Sequence, residues 1–294
     1  MARVTVAVAV FNGGETLLAA LQSCLDPGFE DLEFLVVDDG STDDSAQIAE
    51  AFGARVIRQA NTGLGGARKR LVEEARTEWI AFLDHDDFWQ PGKLAAQVAA
   101  LESSGAVLCH ADGTYVYDDG REVPRDLKLS PDASAFRHIL PNNWVIASTA
   151  VFHRETMLRA GNFIPDTVRC SDWYGWFVIA AQGRFVHVPE RLVRYSVRSA
   201  SLANAGFRFH QARRYLLKEQ ILPRFGELFG HESASDRAIY RKQIQREIGI
   251  AASAMAKALR QEGKRSEARS LTREAIRLAP TVPRVWTRAV RTLF

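Results

Sequence analysis

A chain of 294 residues with 47% hydrophobic and 25% charged residues has an ordinary globular composition, which excludes a disordered polymer and suits one large domain or one domain with an appendage. Its three cysteines, Cys24, Cys109 and Cys170, are widely spaced and form no C-x-x-C pair, which argues against a disulfide framework or a zinc site and fits a reducing compartment. The net charge of +3 hides a split: residues 1–207 carry 19 Lys and Arg against 27 Asp and Glu, while residues 208–294 carry 19 against 8.

That shift predicts a boundary near 205 and a basic C-terminal part, its cations either solvating helix faces or meeting a partner. The start, Met1-Ala2-Arg3-Val4, passes directly into strand-like alternation with no apolar signal-peptide core, and no apolar run approaches a membrane span. A cytoplasmic protein, peripheral at most at the inner face of a membrane, is expected.

Residues 3–11 read as a β-branched strand ending at Asn12-Gly13-Gly14, followed by a helix with Leu17, Leu18, Leu21 and Leu25 at helical spacing. Residues 32–37 form the second expected strand, ending at Asp38-Asp39-Gly40-Ser41, with Ser41 or Thr42 placed to cap a helix carrying Ala46, Ile48, Ala49 and Phe52. A short strand at 54–58 precedes a glycine-rich loop, Asn61 to Arg70, that enters a helix. Residues 79–83 are apolar enough for a parallel strand covered on both faces. They end at Asp84-His85-Asp86-Asp87, and Pro91 suits the first turn of the helix that follows. Strands alternating with helices at this interval indicate a mostly parallel α/β sheet.

The pattern then becomes mixed. Strands are expected at 106–111 and 113–118, with a hairpin turn at Asp118-Asp119-Gly120. A loop-rich stretch with Pro131 and Pro141 follows, then a strand at 144–153 and a short helix ending at Gly161. Another helix opens at Cys170-Ser171-Asp172, and strands are expected at 185–188 and 191–197. Beyond 206 the pattern is helical, with apolar stripes at Ile244, Ile248, Ala251, Met255 and Leu259 and at Ala268, Leu271, Ala275 and Leu278. The spacing of Ala256, Gly263, Ala268, Ala275 and Pro280 fits one tetratricopeptide-like helix pair, although a single repeat makes a plain helical hairpin the simpler expectation. The last helix, with Trp286, Val290 and Phe294 among Arg284, Arg288 and Arg291, reads as interfacial or as a packing helix, with packing favoured.

An isolated D-x-D-D is usually a solvated acidic turn. Here it sits at the carboxyl end of a strand, where open α/β sheets place ligands. Two alternating carboxylates there can share a hard cation whose other ligands are phosphate and water. It is also the last of four signals in fixed order: Val10-Phe11-Asn12, LVVDDGSTDD at 35–44, NTGLGGAR at 61–68 and FLDHDDFW at 82–89. The glycine-rich segment lacks the G-x-G-x-x-G spacing of a dinucleotide fingerprint, which speaks against a dehydrogenase. A sugar-nucleotide pyrophosphorylase would need Arg and Lys in the first loop, where Glu15 follows Gly14.

On these motifs residues 3–200 resemble the inverting glycosyltransferases of family 2, which have the GT-A fold. The resemblance implies a GT-A domain over 1–205, with a nucleotide-binding half at 1–104 and an acceptor half at 105–205, and a basic helical region at 206–294. It implies transfer of a sugar from a nucleotide-sugar, by expectation UDP-linked, to a hydroxyl of a glycan, glycolipid or protein, with no nucleic-acid partner. Phe11, Asn12, Asp38, Asp39, Asn61, Arg68, Asp84 and His85 would border the nucleotide, with either Asp38 or Asp39 accepting the imide hydrogen of the base. Asp86 would hold Mn2+ or Mg2+ on the diphosphate. Asp172 matches the general base, with Ser171 in place of the usual Glu, and Trp144 and Trp173 are candidate acceptor-side aromatics. Core packing is expected for at least two of Trp173, Tyr174 and Trp176. Arg198 occupies the position of a metal-binding His, so it would grip the diphosphate with paired hydrogen bonds in place of part of the metal's charge. The alternative is a catalytically silent nucleotide-sugar-binding or scaffold protein acting through its helical tail, with membrane or protein contacts made by the basic helices.

Overall fold

The structure is a computed structural model that describes residues 3–26, 28–127, 135–140, 143–165, 170–198 and 205–293. Pro131, Pro141 and residues 199–201 of the YSVRSAS segment lie outside the described residues. The chain divides into two compact units, one of Met1–Thr167 with Ser171–Ser199, the other of Val168–Cys170 with Ala200–Phe294.

The first unit is built on a nine-stranded mixed sheet. Strand β1 (Val4–Val10) is buried at all seven residues, as a strand covered on both faces must be. It pairs in parallel with β2 (Leu32–Asp38) on one side and β4 (Trp79–Asp84) on the other, and β3 (Arg55–Arg58) extends the β2 edge. Helices α1 (Gly14–Gln22), α2 (Ser45–Phe52) and α3 (Gly63–Glu74) connect these strands. The register sets Asp38 beside Val10 and Asp84 beside Ala9. Two acidic motifs far apart in sequence therefore end at one sheet edge.

The mixed half contains a short β5 (Phe88–Trp89), α4 (Lys93–Ser104), β6 (Leu108–Tyr117), β7 (Glu122–Arg125), α5 (Ala135–Ile139), β8 (Val151–His153), α6 (Arg154–Arg159), α7 (Ser171–Ala180) and β9 (Phe185–Val197). Strand β8 pairs antiparallel with both β4 and β6, and β6 runs parallel to β9.

Several expectations need correction. The two strands expected between 106 and 118 are one strand, bulged around Asp112, whose carboxylate accepts from the Leu127 amide at 2.9 Å and lies 2.8 Å from His187 Nε2. The two expected after 185 are likewise one. The strand expected at 144–153 is a 3-10 turn, Ala147–Thr149, before the short β8. The turn is needed because the Ser148 hydroxyl reaches back to the acidic motif. The glycine-rich segment is mostly helix: α3 begins at Gly63, and a Cβ on Gly66 would come within 2.2 Å of the Thr62 hydroxyl. Leu18 is exposed and α1 ends before the exposed Leu25, so the helix is shorter and its buried face narrower than its leucine spacing suggests.

Lys93, at the start of α4, is an unusual core residue. It is 1% exposed, its Nζ has no hydrogen-bond partner among the described residues, and it sits 4.0 Å from the centre of the Trp89 ring. Burial lowers its pKa to about 7. Burial also raises Cys24 to about 12 and Cys109 to about 11.

In the second unit, α8 (Ala205–Tyr215) runs into a π-helical stretch, Leu216–Ile221, followed by α9 (Phe225–Phe229), the long α10 (Ala234–Gln261), α11 (Arg265–Leu278) and α12 (Pro283–Leu293). A buried Arg213–Glu247 pair ties α8 to α10. Gly249 lets α10 approach α11, since a Cβ there would meet that of Ala279 at 2.8 Å. Helix α12 packs through Val285 and Ala289 but leaves Trp286 and Val290 exposed. No helix among the described residues is long and apolar enough to cross a membrane.

The depressed Lys93 pKa has a thermodynamic consequence. Between about pH 7 and the unfolded value of 10.5, the unfolded state binds a proton that the folded state lacks, so stability should rise with pH across that window. Lys93→Met should stabilise the protein at pH 7 by roughly 3 kcal/mol. It should also flatten the rise in stability between pH 7 and pH 8, before unfolded-state thiols, which titrate near 9.0, begin to oppose it. Urea denaturation at several pH values measures both; an unchanged slope would show that Lys93 keeps its proton when folded.

Candidate active site

The site lies at the carboxyl ends of β1, β2 and β4. Asp38 is fully buried; its Oδ1 accepts from the Ser41 amide at 2.8 Å and its Oδ2 lies 3.2 Å from Arg58 Nε. Asp39 receives three donors on Oδ1: Gln59 Nε2 at 2.7 Å, the Thr62 amide at 2.9 Å and the Thr62 hydroxyl at 3.1 Å. Among the described residues no donor meets its Oδ2. Asn12, at φ 51°, ties the first loop to the second: its amide donates to Ser41 and its side-chain oxygen accepts from the Thr42 amide. Phe11 beside it is 49% exposed, an aromatic face left open at the strand end. Asn61 caps the entry to α3 by accepting from the Gly63 amide at 3.2 Å.

Around the end of β4 the carboxylates are held by a different set of partners. Arg68, only 4% exposed, donates to Asp84 Oδ1 at 3.0 Å and to the Ser171 hydroxyl at 3.2 Å, with Phe82 beneath its guanidinium. Burial opposes its charge, but Asp84 and then Asp172 outweigh that and raise its pKa. The Asp84 amide donates to Ser148 Oγ at 3.0 Å, and the same hydroxyl donates to Asp87. Asp87 is fully buried and also accepts from the Ser196 amide at 2.9 Å. Burial, then the neighbouring Asp84 carboxylate, push its pKa well above the usual range. Asp87 thus ties the acidic turn to β9. His85 leans on the first loop, with Nδ1 3.1 Å from the Thr16 hydroxyl, and a Cβ on Gly13 would come within 2.6 Å of it.

Asp172 opens α7, half-buried, and accepts from Asn143 Nδ2 at 2.6 Å. Burial raises its pKa, moderated by the attraction of Arg68. Asp84, Asp172, Asn143, Tyr195, Tyr115 and Arg125 all line one cavity of about 170 Å³. Burial and the surrounding carboxylates raise the Tyr195 pKa, so its hydroxyl stays protonated as a donor among acids.

Asp86 sits 3.2 Å from Arg198 through Oδ2. Among the described residues no three His, Cys, Asp or Glu side chains converge to cage a metal. One half-buried carboxylate suits a hard cation that takes its other ligands from phosphate and water, so the residues present fit a metal that arrives with a diphosphate.

The aromatic expectations divide. Trp173 is 1% exposed, donates to the Ile139 carbonyl at 2.8 Å and stacks on Phe177, so it belongs to the core and not to an acceptor face. Tyr174 and Trp176 are buried too. Trp144 does not line the cavity, although Asn143 and Val145 on either side do; its carbonyl accepts from Arg125 at 2.7 Å. Sequence reasoning missed Arg125, Asn143, Ser148 and Tyr195. Only Tyr195 had a signal, as the first residue of the YSVRSAS segment.

Residues 5–160 match the family described as Glycosyl transferase family 2. The chain belongs to that family. It is 30% identical over 218 residues to an uncharacterized glycosyltransferase of Nostoc sp., a match covering 68% of this chain and 66% of the relative. It is 33% identical over 116 residues, 38% of this chain and 46% of the relative, to the UDP-Glc:alpha-D-GlcNAc-diphosphoundecaprenol beta-1,3-glucosyltransferase WfaP of Escherichia coli. These matches thus span from just under half to about two thirds of the relatives' own lengths. Among solved structures, S. aureus TarS 1-349 in complex with UDP-GlcNAc superposes with a TM-score of 0.65 at 18% identity, over 97% of this chain and 92% of that one. The mannosyltransferase PcManGT from Pyrobaculum calidifontis, in complex with GDP-Man and Mn2+, gives 0.58 at 19% identity over 99% and 87%. The fold is GT-A, with a helical C-terminal part.

Because Arg68 neutralises a cluster of acids from within the protein, Arg68→Met should destabilise this family 2 domain by roughly 3 kcal/mol, leaving Asp84 without its ion pair. Arg68→Lys should recover only part of that, since one ammonium cannot serve Asp84 and Ser171 with the same fork. Denaturant titration reads both; a wild-type midpoint for Arg68→Met would remove the pair from the fold's essential contacts.

Proposed function

We infer that the protein is an inverting glycosyltransferase moving a sugar from a nucleotide-sugar, UDP-linked by preference, to an acceptor hydroxyl, with Asp172 as general base. The observation that carries the reading is Asp172 itself: a half-buried carboxylate of raised proton affinity facing Asp84 across one cavity. A base is better at taking a hydroxyl proton when its pKa approaches the working pH, and burial moves Asp172 that way.

On this reading residues 1–104 hold the nucleotide and 105–205 the acceptor. Phe11 stacks on the base and Asp39 accepts its imide hydrogen, since Asp39, 3% exposed, keeps an oxygen without a donor, whereas the open oxygen of Asp38 is fully buried against Arg58. Asn12, Asn61 and His85 shape the loops around the nucleotide, and Arg68 holds Asp84 toward the ribose. Manganese or magnesium, when bound, supplies positive charge to the departing diphosphate, with Asp86 as its protein ligand. Arg198 shares that task from the other side of Asp86. The acceptor is a glycan, glycolipid or protein. The relative named for a diphosphoundecaprenol-linked acceptor favours a glycolipid, which this protein would meet from the cytoplasm at a membrane face in polysaccharide biosynthesis.

Asp172→Asn should lower kcat by at least about a thousandfold while leaving UDP affinity and melting temperature near wild type. In the native enzyme kcat/KM should fall on the acid side at a higher pH than an ordinary carboxylate would give. Retained turnover in Asp172→Asn would refute the assignment; nucleotide binding with no turnover in either protein would favour a silent binding module. Separately, Arg198→Ala should shift the manganese titration of activity to higher affinity, because Asp86 loses its competitor, and should lower maximal rate roughly tenfold. An unchanged metal requirement with an unchanged rate would remove Arg198 from the diphosphate site.

A further inference from the structure

The cations of the helical unit differ in whether acidic residues meet them. Arg213 is paired with the buried Glu247. Arg214 and Lys218 both hold Glu274, at 2.7 and 2.9 Å. Between α10 and α12, by contrast, Lys257, Arg260, Arg284, Arg288 and Arg291 line a cleft of about 230 Å³ with no acidic residue in its wall. None of these five has an ion pair among the described residues. The other lining residues, Thr287 and Thr292, donate their hydroxyls to the carbonyls of Pro283 and Arg288, so the cleft offers cations and little else. Burial and the neighbouring Arg284 lower the pKa of Arg288, a sign that these charges repel one another when nothing negative lies between them. Helical spacing puts Arg284, Arg288 and Arg291 on one stripe of α12, whereas the exposed Trp286 and Val290 lie roughly on the far side of the helix.

We propose that this cleft binds phosphate groups, free or carried on a lipid headgroup, with Lys257, Arg260, Arg284, Arg288 and Arg291 as its ligands. Guanidinium forks match phosphate oxygens in geometry as well as charge. The inference is independent of the sugar-transfer chemistry and holds or falls without it.

The test is sedimentation of the full chain with vesicles of phosphatidylcholine alone and of phosphatidylcholine containing phosphatidylglycerol, beside a calorimetric titration with inorganic phosphate. One of the two probes should bind, and vesicle binding, which would identify a lipid source, should require phosphatidylglycerol. Arg284→Gln with Arg288→Gln should weaken it by roughly tenfold or more, while Arg265→Gln with Arg269→Gln, equal in charge but outside the cleft, should change it little. Relief of repulsion should leave the melting temperature of the cleft variant at or above wild type, which separates loss of the site from loss of the fold. Phosphate binding that depends on Arg284 and Arg288, without vesicle binding, would keep the site and make its ligand soluble. Equal losses in the two double variants, or no binding to either probe, would overturn the proposal.

Discussion

The first unit depends on how it holds several carboxylates at the end of one strand. Asp84, Asp86, Asp87 and Asp172 converge from three elements, and an unbalanced set would repel strongly at low dielectric. Each is managed differently. Arg68 neutralises Asp84 from inside the fold, Arg198 meets Asp86 from just beyond β9, Asp87 is driven toward its neutral form by burial, and Asp172 is held by Asn143 within the field of Arg68. Such sorting lets neighbouring carboxyl groups differ in charge and proton affinity, which acid–base chemistry requires. The Phe82, Phe152, Phe163 and Trp176 cluster underneath supplies the rigid floor.

The parallel half of the sheet was legible because its signals are local. Continuous β-branched strands, turn residues at their ends and the acidic motifs all reported on their own positions, and the register then brought Asp38 and Asp84 to one edge. The mixed half was harder. The bulge at Asp112 and the turn at Ser148 exist because of tertiary partners, His187 and Leu127 for one and Asp84 and Asp87 for the other, and no window of sequence contains both sides of such a contact. Ser171 shows the same limit: a departure from the family pattern by sequence, it proves to be the second anchor of Arg68. Trp173 misled in the opposite direction, since an aromatic beside the expected base fills the core as readily as it meets a sugar.

Charge asymmetry along the chain was visible from composition alone, but its meaning was not. Counting cations does not distinguish Arg214, locked to Glu274, from Arg288, which has no acidic partner among the described residues. Pairing does, and it separates charges that hold helices together from charges that remain available to a ligand.

The stereochemistry of sugar release tests the central claim most directly. Incubating the protein with UDP-linked α-sugars and following the first-formed product by proton NMR, in transfer or in slow hydrolysis, reads which face of the anomeric carbon is attacked. A base at Asp172 acting on a hydroxyl opposite the diphosphate predicts the β-anomer as the initial product, and its loss in Asp172→Asn. An α-anomer formed first would contradict the account.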